Sequence, residues 1–151
     1  MERIKMMLVD DEERFLKTTQ KLLSKKGYDV LTANGGAEAL EKLAGHNIHV
    51  VVLDVKMPGM DGIATLKEIK RHHPLVEVIM LTGHATVESA VDGLKSGATD
   101  YLMKPTDIED LIKKTEEAYE KRLRIEEKIR AAKTRRFMKS PRAILKESDI
   151  I

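Results

Sequence analysis

The 151-residue chain contains no cysteine and no tryptophan, and aromatic residues make up only 3% of it. Without thiols there is no disulfide framework, no zinc–thiolate site and no cysteine nucleophile. Three tyrosines and two phenylalanines are too few for the stacking platforms that hold single-stranded nucleic acid, so direct nucleic-acid binding is disfavoured. Long apolar runs are missing as well. The opening stretch MERIKMMLVDDEE reaches its acids too soon for a secretory signal. No run approaches the ~20 apolar residues of a membrane span. These absences point to a soluble, cytoplasmic protein. A chain of this length forms one ordinary domain with a little to spare and buries a core without staples.

The net charge of +2 hides an uneven distribution. From Lys121 to Arg142 there are ten Lys/Arg against two acids, Glu126 and Glu127, which leaves the rest of the chain net acidic. No internal repeat is present. Four apolar runs stand out: IKMMLV (4–9), HVVVLD (49–54), VEVIMLT (76–82) and YLMK (101–104), with a weaker one, YDVLTA (28–33). They are nearly continuous rather than alternating, as strands buried on both faces are. Helical periods lie between them: Phe15, Leu16, Thr19, Leu22 and Leu23; Ala37, Leu40 and Leu43; Ile63, Leu66 and Ile69; Val87, Ala90, Val91 and Leu94. Strand alternating with helix predicts a doubly wound α/β fold with a five-stranded parallel sheet and helices on both faces. The last helix starts after the cap pair Thr106–Asp107 and meets no Gly or Pro until Pro141. That is about twice what one domain needs to cover its sheet. The expected division is therefore a globular domain over 1–120 and a basic helical extension with a tail over 121–151.

The residues that end the strands carry the chemistry. Ligands of an open parallel sheet bind outside the carboxyl ends of its strands. There the sequence puts Asp10 and Asp11, Asp54, Thr82 and Lys104. Three carboxylates at one edge repel each other unless a cation joins them. An oxygen-only donor set favours a hard cation, and Mg²⁺ fits best because it keeps waters and a phosphate oxygen. Lys104 adds a point charge for an anion and Thr82 a hydroxyl donor. Together these groups describe phosphoryl transfer, with Asp54 as the carboxylate nucleophile and Asp10 and Asp11 better placed to hold the metal.

At this point the chain resembles the receiver domain of bacterial two-component response regulators. The matching segments are VDDEE (9–13), LDVKMPGMDG (53–62), LTGHA (81–85) and DYLMKP (100–105), and the likeness spans residues 3 to 120. VKMPGMDG and TGHAT look most like receivers of enhancer-binding transcription activators. The resemblance implies a flavodoxin-like sheet of order 2-1-3-4-5. It implies that Asp54 accepts phosphate from a sensor histidine kinase. Asp11, Asp54 and the Lys56 backbone carbonyl would ligate Mg²⁺, with Asp10 acting largely through water. Thr82 and Lys104 would bind the phosphoryl group, and Tyr101 would be the aromatic that moves inward with Thr82. A cis Lys104–Pro105 bond is expected. Lys56 and His84, two residues beyond Asp54 and Thr82, would tune the lifetime of the acyl phosphate. The switching surface would be the fourth helix, fifth strand and fifth helix, around residues 86–115. It would serve an output protein or domain, or a homodimer.

Three readings of the basic extension stay open: a solvated linker, a dimerising coiled coil, and a nucleic-acid or membrane-surface contact through Lys133, Arg135, Arg136 and Lys139. The coiled coil rests on the spacing of Ile108, Leu111, Thr115, Ala118, Arg122, Ile125, Ile129 and Ala132, which Arg122 weakens. Two rivals to the receiver also stand. One is a small Mg²⁺ phosphatase, disfavoured because its second Asp would fall where Lys56 is. The other is an adaptor that no longer uses phosphate. Self-phosphorylation and slow self-hydrolysis are the only catalysis expected.

Overall fold

The five apolar runs fold as β1 (Lys5–Val9), β2 (Asp29–Ala33), β3 (Val50–Leu53), β4 (Glu77–Thr82) and β5 (Asp100–Met103). Between and after them run α1 (Glu13–Lys25), α2 (Gly36–Gly45), α3 (Gly62–His72), α4 (Val87–Lys95) and α5 (Ile108–Lys139). These elements are taken from a computed structural model that describes residues 2–57, 59–83 and 86–139. Every strand pairing is parallel and the order is β2-β1-β3-β4-β5. The expected fold class and order therefore hold.

Alternation along the central strands splits the core into two layers. Met7, Val9, Val51, Leu53, Val78 and Met80 face Ala39 and Leu43 of α2 and Leu66 and Ile69 of α3. Met6, Leu8, Val52 and Leu81 face Leu16 and Leu23 of α1 and Leu111 of α5. β1, β3 and β4 are thus covered on both sides, which is why their sequences read as unbroken apolar runs. Each fully buried Leu, Ile or Met contributes roughly 1.5–3 kcal/mol. The two outer strands differ. β2 and β5 are only half-buried, because an edge strand packs against one neighbour and shorter helical cover.

Two helical phases depart from the expected faces. In α2 the buried positions are Gly36, Ala39 and Leu43, whereas Ala37 is exposed. In α4 the apolar face made by Val87, Val91 and Leu94 stays in solvent, with Val87 84% exposed. The reason is Gly93, the buried residue of this helix: a Cβ there would touch Met80, Ile63 and Tyr101 at 3.5–3.8 Å, so the helix rests on its glycine side.

α5 passes the end of the sheet without a break and remains attached to it. The Tyr119 ring stands edge-on to buried His49, with centroids 5.0 Å apart. Arg122 donates to the Ile48 carbonyl at 2.7 Å and to Glu126 at 2.7 Å. Lys121 lies 3.5 Å from buried Glu77, which also accepts from the Thr99 hydroxyl. Arg122, which weakened the coiled-coil spacing, is thus turned toward the domain. No helix among the described residues is long and apolar enough to cross a membrane.

Candidate functional site

Three backbone hydrogen bonds carry the sheet ladder one residue beyond its strands. Asp10 N donates to the Ala33 carbonyl, Asp54 N to the Val9 carbonyl at 3.0 Å, and Lys104 N to the Thr82 carbonyl at 2.9 Å. Asp10, Asp54 and Lys104 therefore form a layer immediately above the last paired residues, Val9, Leu53 and Met103. Thr82 ends β4 with its side chain buried. The sheet register thus brings all four side chains to one edge.

Within that layer the carboxylates converge. Asp10, Asp11 and Asp54 each offer an oxygen within 4.8 Å of the others. Asp10 and Asp54 are 1% and 4% exposed, while Asp11 faces solvent. Asp10 accepts from the Glu12 backbone N–H at 2.9 Å and from Lys104 Nζ at 2.5 Å. Burial raises the Asp10 carboxyl above its ordinary pKa, against the pull of Lys104 and the Glu12 N–H, and the Asp54 charge pushes the same way. Burial opposes the Lys104 charge too, but Asp10, Asp54 and Glu12 outweigh it and raise this amine. Both partners of the pair shift upward, Asp10 chiefly through burial and Lys104 through the surplus of negative charge around it.

Asp54 shows that surplus most directly. Its Oδ1 is buried and has no hydrogen-bond partner among the described residues. An orphaned carboxylate oxygen beside two more acids is what a hard cation completes, so the donor set fits Mg²⁺. The loop that follows is held close. Gly62 N donates to the Val55 carbonyl at 2.7 Å, and a Cβ on Gly62 would collide with the Asp54 carbonyl and approach Val55 Cα to 2.6 Å. Only glycine lets the start of α3 lie against the chain leaving Asp54. Asp61 then caps α3 through the Ala64 N–H at 2.8 Å.

Two further predicted residues, Tyr101 and Lys56, occupy the rim. Tyr101 is half-buried on β5, and its hydroxyl shares a 2.9 Å hydrogen bond with Ser89 in the first turn of α4. Ser89 completes a capping box with Thr86. Lys56 is exposed on the loop after Asp54. His84 lies outside the described residues. The Lys104–Pro105 bond is cis, as expected. Three participants were not foreseen: Glu12, 3.4 Å from Lys104 Nζ; Ser89; and Phe15, whose ring centroid lies 4.0 Å from that ammonium. Glu12 stood in the quoted VDDEE, but Phe15 read only as a core residue.

Residues 6–116 match the response regulator receiver domain family. The chain belongs to this family. It is 44% identical over 110 residues to the transcriptional regulatory protein ZraR of Escherichia coli, covering 73% of this chain and 25% of that protein. It is 40% identical over 118 residues to the DNA-binding transcriptional regulator NtrC of Escherichia coli, covering 78% and 25%. The chain thus spans about a quarter of the length of these curated relatives. Among solved structures, a CheY-like receiver domain protein from Methanospirillum hungatei superposes with a TM-score of 0.79 at 31% identity, covering 82% of this chain and 98% of that one. NtrX from Brucella abortus gives 0.79 at 33% identity, covering 83% and 29%. Receivers are the phosphorylation-accepting domains of two-component signalling and bind Mg²⁺ at an acidic pocket; Asp10, Asp11 and Asp54 form such a cluster here.

Proposed function

We propose that this receiver takes a phosphoryl group on Asp54 from a sensor histidine kinase and that the modified domain acts through the surface of α4, β5 and α5. The observation that carries the reading is the Asp54 carboxylate: 4% exposed, its Oδ1 without a hydrogen bond among the described residues, and within reach of two other acids. In the transfer, an Asp54 oxygen forms the new P–O bond while the P–N bond to the donor imidazole breaks, leaving an acyl phosphate. Asp11, Asp54 and the Lys56 carbonyl, with Asp10 largely through water, would hold Mg²⁺, which when bound would supply charge neutralisation for the incoming phosphoryl oxygens. Lys104 gives the phosphoryl group a cation, and the Thr82 hydroxyl a donor. Lys56, exposed on the loop after Asp54, and His84, two residues beyond Thr82 in sequence, govern water's access to the acyl phosphate.

Domain output follows from a local change of charge. Thr82 turning toward the phosphoryl group vacates space beside β5, and Tyr101 exchanges its Ser89 hydrogen bond for an inward position. The apolar residues Val87, Val91 and Leu94 of α4 and Met103 of β5 are exposed in the unphosphorylated domain, which supports this face as the one an output domain or second copy covers. Residues 1–120 are the receiver and 121–151 a basic extension. The relatives named as transcription regulators support a transcriptional output. Intact mass after incubation with acetyl phosphate and Mg²⁺ tests the reading. The expected result is one added phosphoryl group on wild type and none on Asp54→Ala. No adduct on wild type at any time would favour a phosphate-independent adaptor.

A further inference from the structure

We infer that Phe15 is a positioning residue for Lys104, holding its ammonium against Asp10 at the place where a phosphoryl group arrives. The inference rests on the proposed reading of Asp54 and names a participant it does not include. Phe15 is the third residue of α1, half-buried, and packs against the cluster that contains Leu16, Leu81, Leu102, Ile108 and Leu111. Its ring is therefore fixed from behind by the core. The face left over meets Lys104 Nζ at 4.0 Å from the centroid, well inside cation–π range.

Lysine is a flexible point charge on a four-carbon stem, so its position needs support from more than one side. Here the support is divided. Asp10 at 2.5 Å and Glu12 at 3.4 Å draw the ammonium by charge, and the ring adds a contact 4.0 Å from its centroid. The Lys104 side chain is only 15% exposed as a result. An ammonium has three N–H donors. A wall that offers a π-face attracts the charge without binding any one donor strongly, so a donor can be redirected to a phosphoryl oxygen while the nitrogen stays in place. A carboxylate or carbonyl in that position would compete with the phosphoryl group; an aliphatic side chain would exclude water but give the charge no attraction.

The test compares Phe15→Leu and Phe15→Met, which keep apolar packing without a π-face, with Phe15→Trp, which keeps the ring. The first readout is hydrogen exchange of the Lys104 ammonium in the unphosphorylated protein. The second is the rate of phosphoryl uptake from acetyl phosphate with saturating Mg²⁺. Faster exchange and uptake slowed about fivefold are expected for Leu and Met, and near wild-type behaviour for Trp, since a partly buried cation–π contact accounts for an effect of that order. In a Lys104→Met background the Phe15→Leu change should have no further effect, because the two residues then share nothing. Leu and Met variants that match wild type in both readouts would overturn the inference. So would an equal slowing that persists without Lys104, which is what a purely structural role gives. If wild type takes up no phosphoryl group, the reading at Asp54 fails, and the exchange measurement still decides the contact.

Discussion

The two edges of the sheet treat buried charge in opposite ways. At the amino-terminal edge, charge is matched. Glu77 has the Thr99 hydroxyl and Lys121, Arg122 has the Ile48 carbonyl and Glu126, and His49 Nδ1 accepts the Lys5 N–H at 2.9 Å. At the carboxyl-terminal edge, Asp10, Asp11 and Asp54 converge, Lys104 pairs with Asp10 and Glu12, and Asp54 keeps an oxygen without a hydrogen bond among the described residues. Satisfied polar groups fix geometry; an unsatisfied one is a vacancy for a ligand's charge. The lower edge ties α5 to the sheet, and the upper edge is where the proposed cation and phosphoryl group would bind.

That contrast can be broken by substitution. Glu77→Ala should have the largest effect on stability, about 2 kcal/mol lost in urea unfolding, because it strips a half-buried Thr99 hydroxyl of its partner and removes the countercharge near half-buried Lys70. Asp54→Asn should act in the other direction. Relieving repulsion with Asp10 should raise stability by up to about 1 kcal/mol in Mg²⁺-free buffer. Adding Mg²⁺ should then stabilise wild type and leave Asp54→Asn unchanged. A loss of stability in Asp54→Asn would erase the distinction between the edges.

The last effect is a pH dependence. Burial lowers the His49 pKa, assisted by Arg122 and Lys5 and opposed by Glu2 and Glu126. A depressed folded-state pKa means the unfolded chain binds the proton more readily. Stability is then complete above the unfolded value near 6.5 and falls as pH drops through the window down to the folded value. Protonation would also remove the acceptor for the Lys5 N–H. The slope should be at most about 1.4 kcal/mol per pH unit, and His49→Gln should flatten it in unfolding measurements below pH 6.5.

Much of the upper edge was legible in the sequence. Continuous apolar runs mark doubly covered strands, and each such run stops at a polar residue of the same sheet edge, so strand assignment and the placement of Asp10, Asp54, Thr82 and Lys104 are one inference. The lower edge was nearly silent. Glu77 interrupts an apolar run and His49 opens one, but nothing local says that Thr99, Lys121 and Tyr119 meet them from far along the chain. Arg122 looked like a flaw in a coiled-coil seam because the spacing does not reveal which neighbour the helix faces. Phe15 was hidden for a related reason: apolar period explains its place in α1, and only the tertiary approach of Lys104 gives its ring a second partner. In α4 the period was sound, but a glycine decided which side packs.

The most direct test is to locate the modified residue. Wild-type protein treated with acetyl phosphate and Mg²⁺ is reduced with borohydride, which converts an aspartyl phosphate to homoserine, and its peptides are sequenced by mass spectrometry. Homoserine at position 54, absent when the phosphodonor is omitted, is the predicted result. Homoserine at position 10 or 11 with Asp54 intact would contradict it.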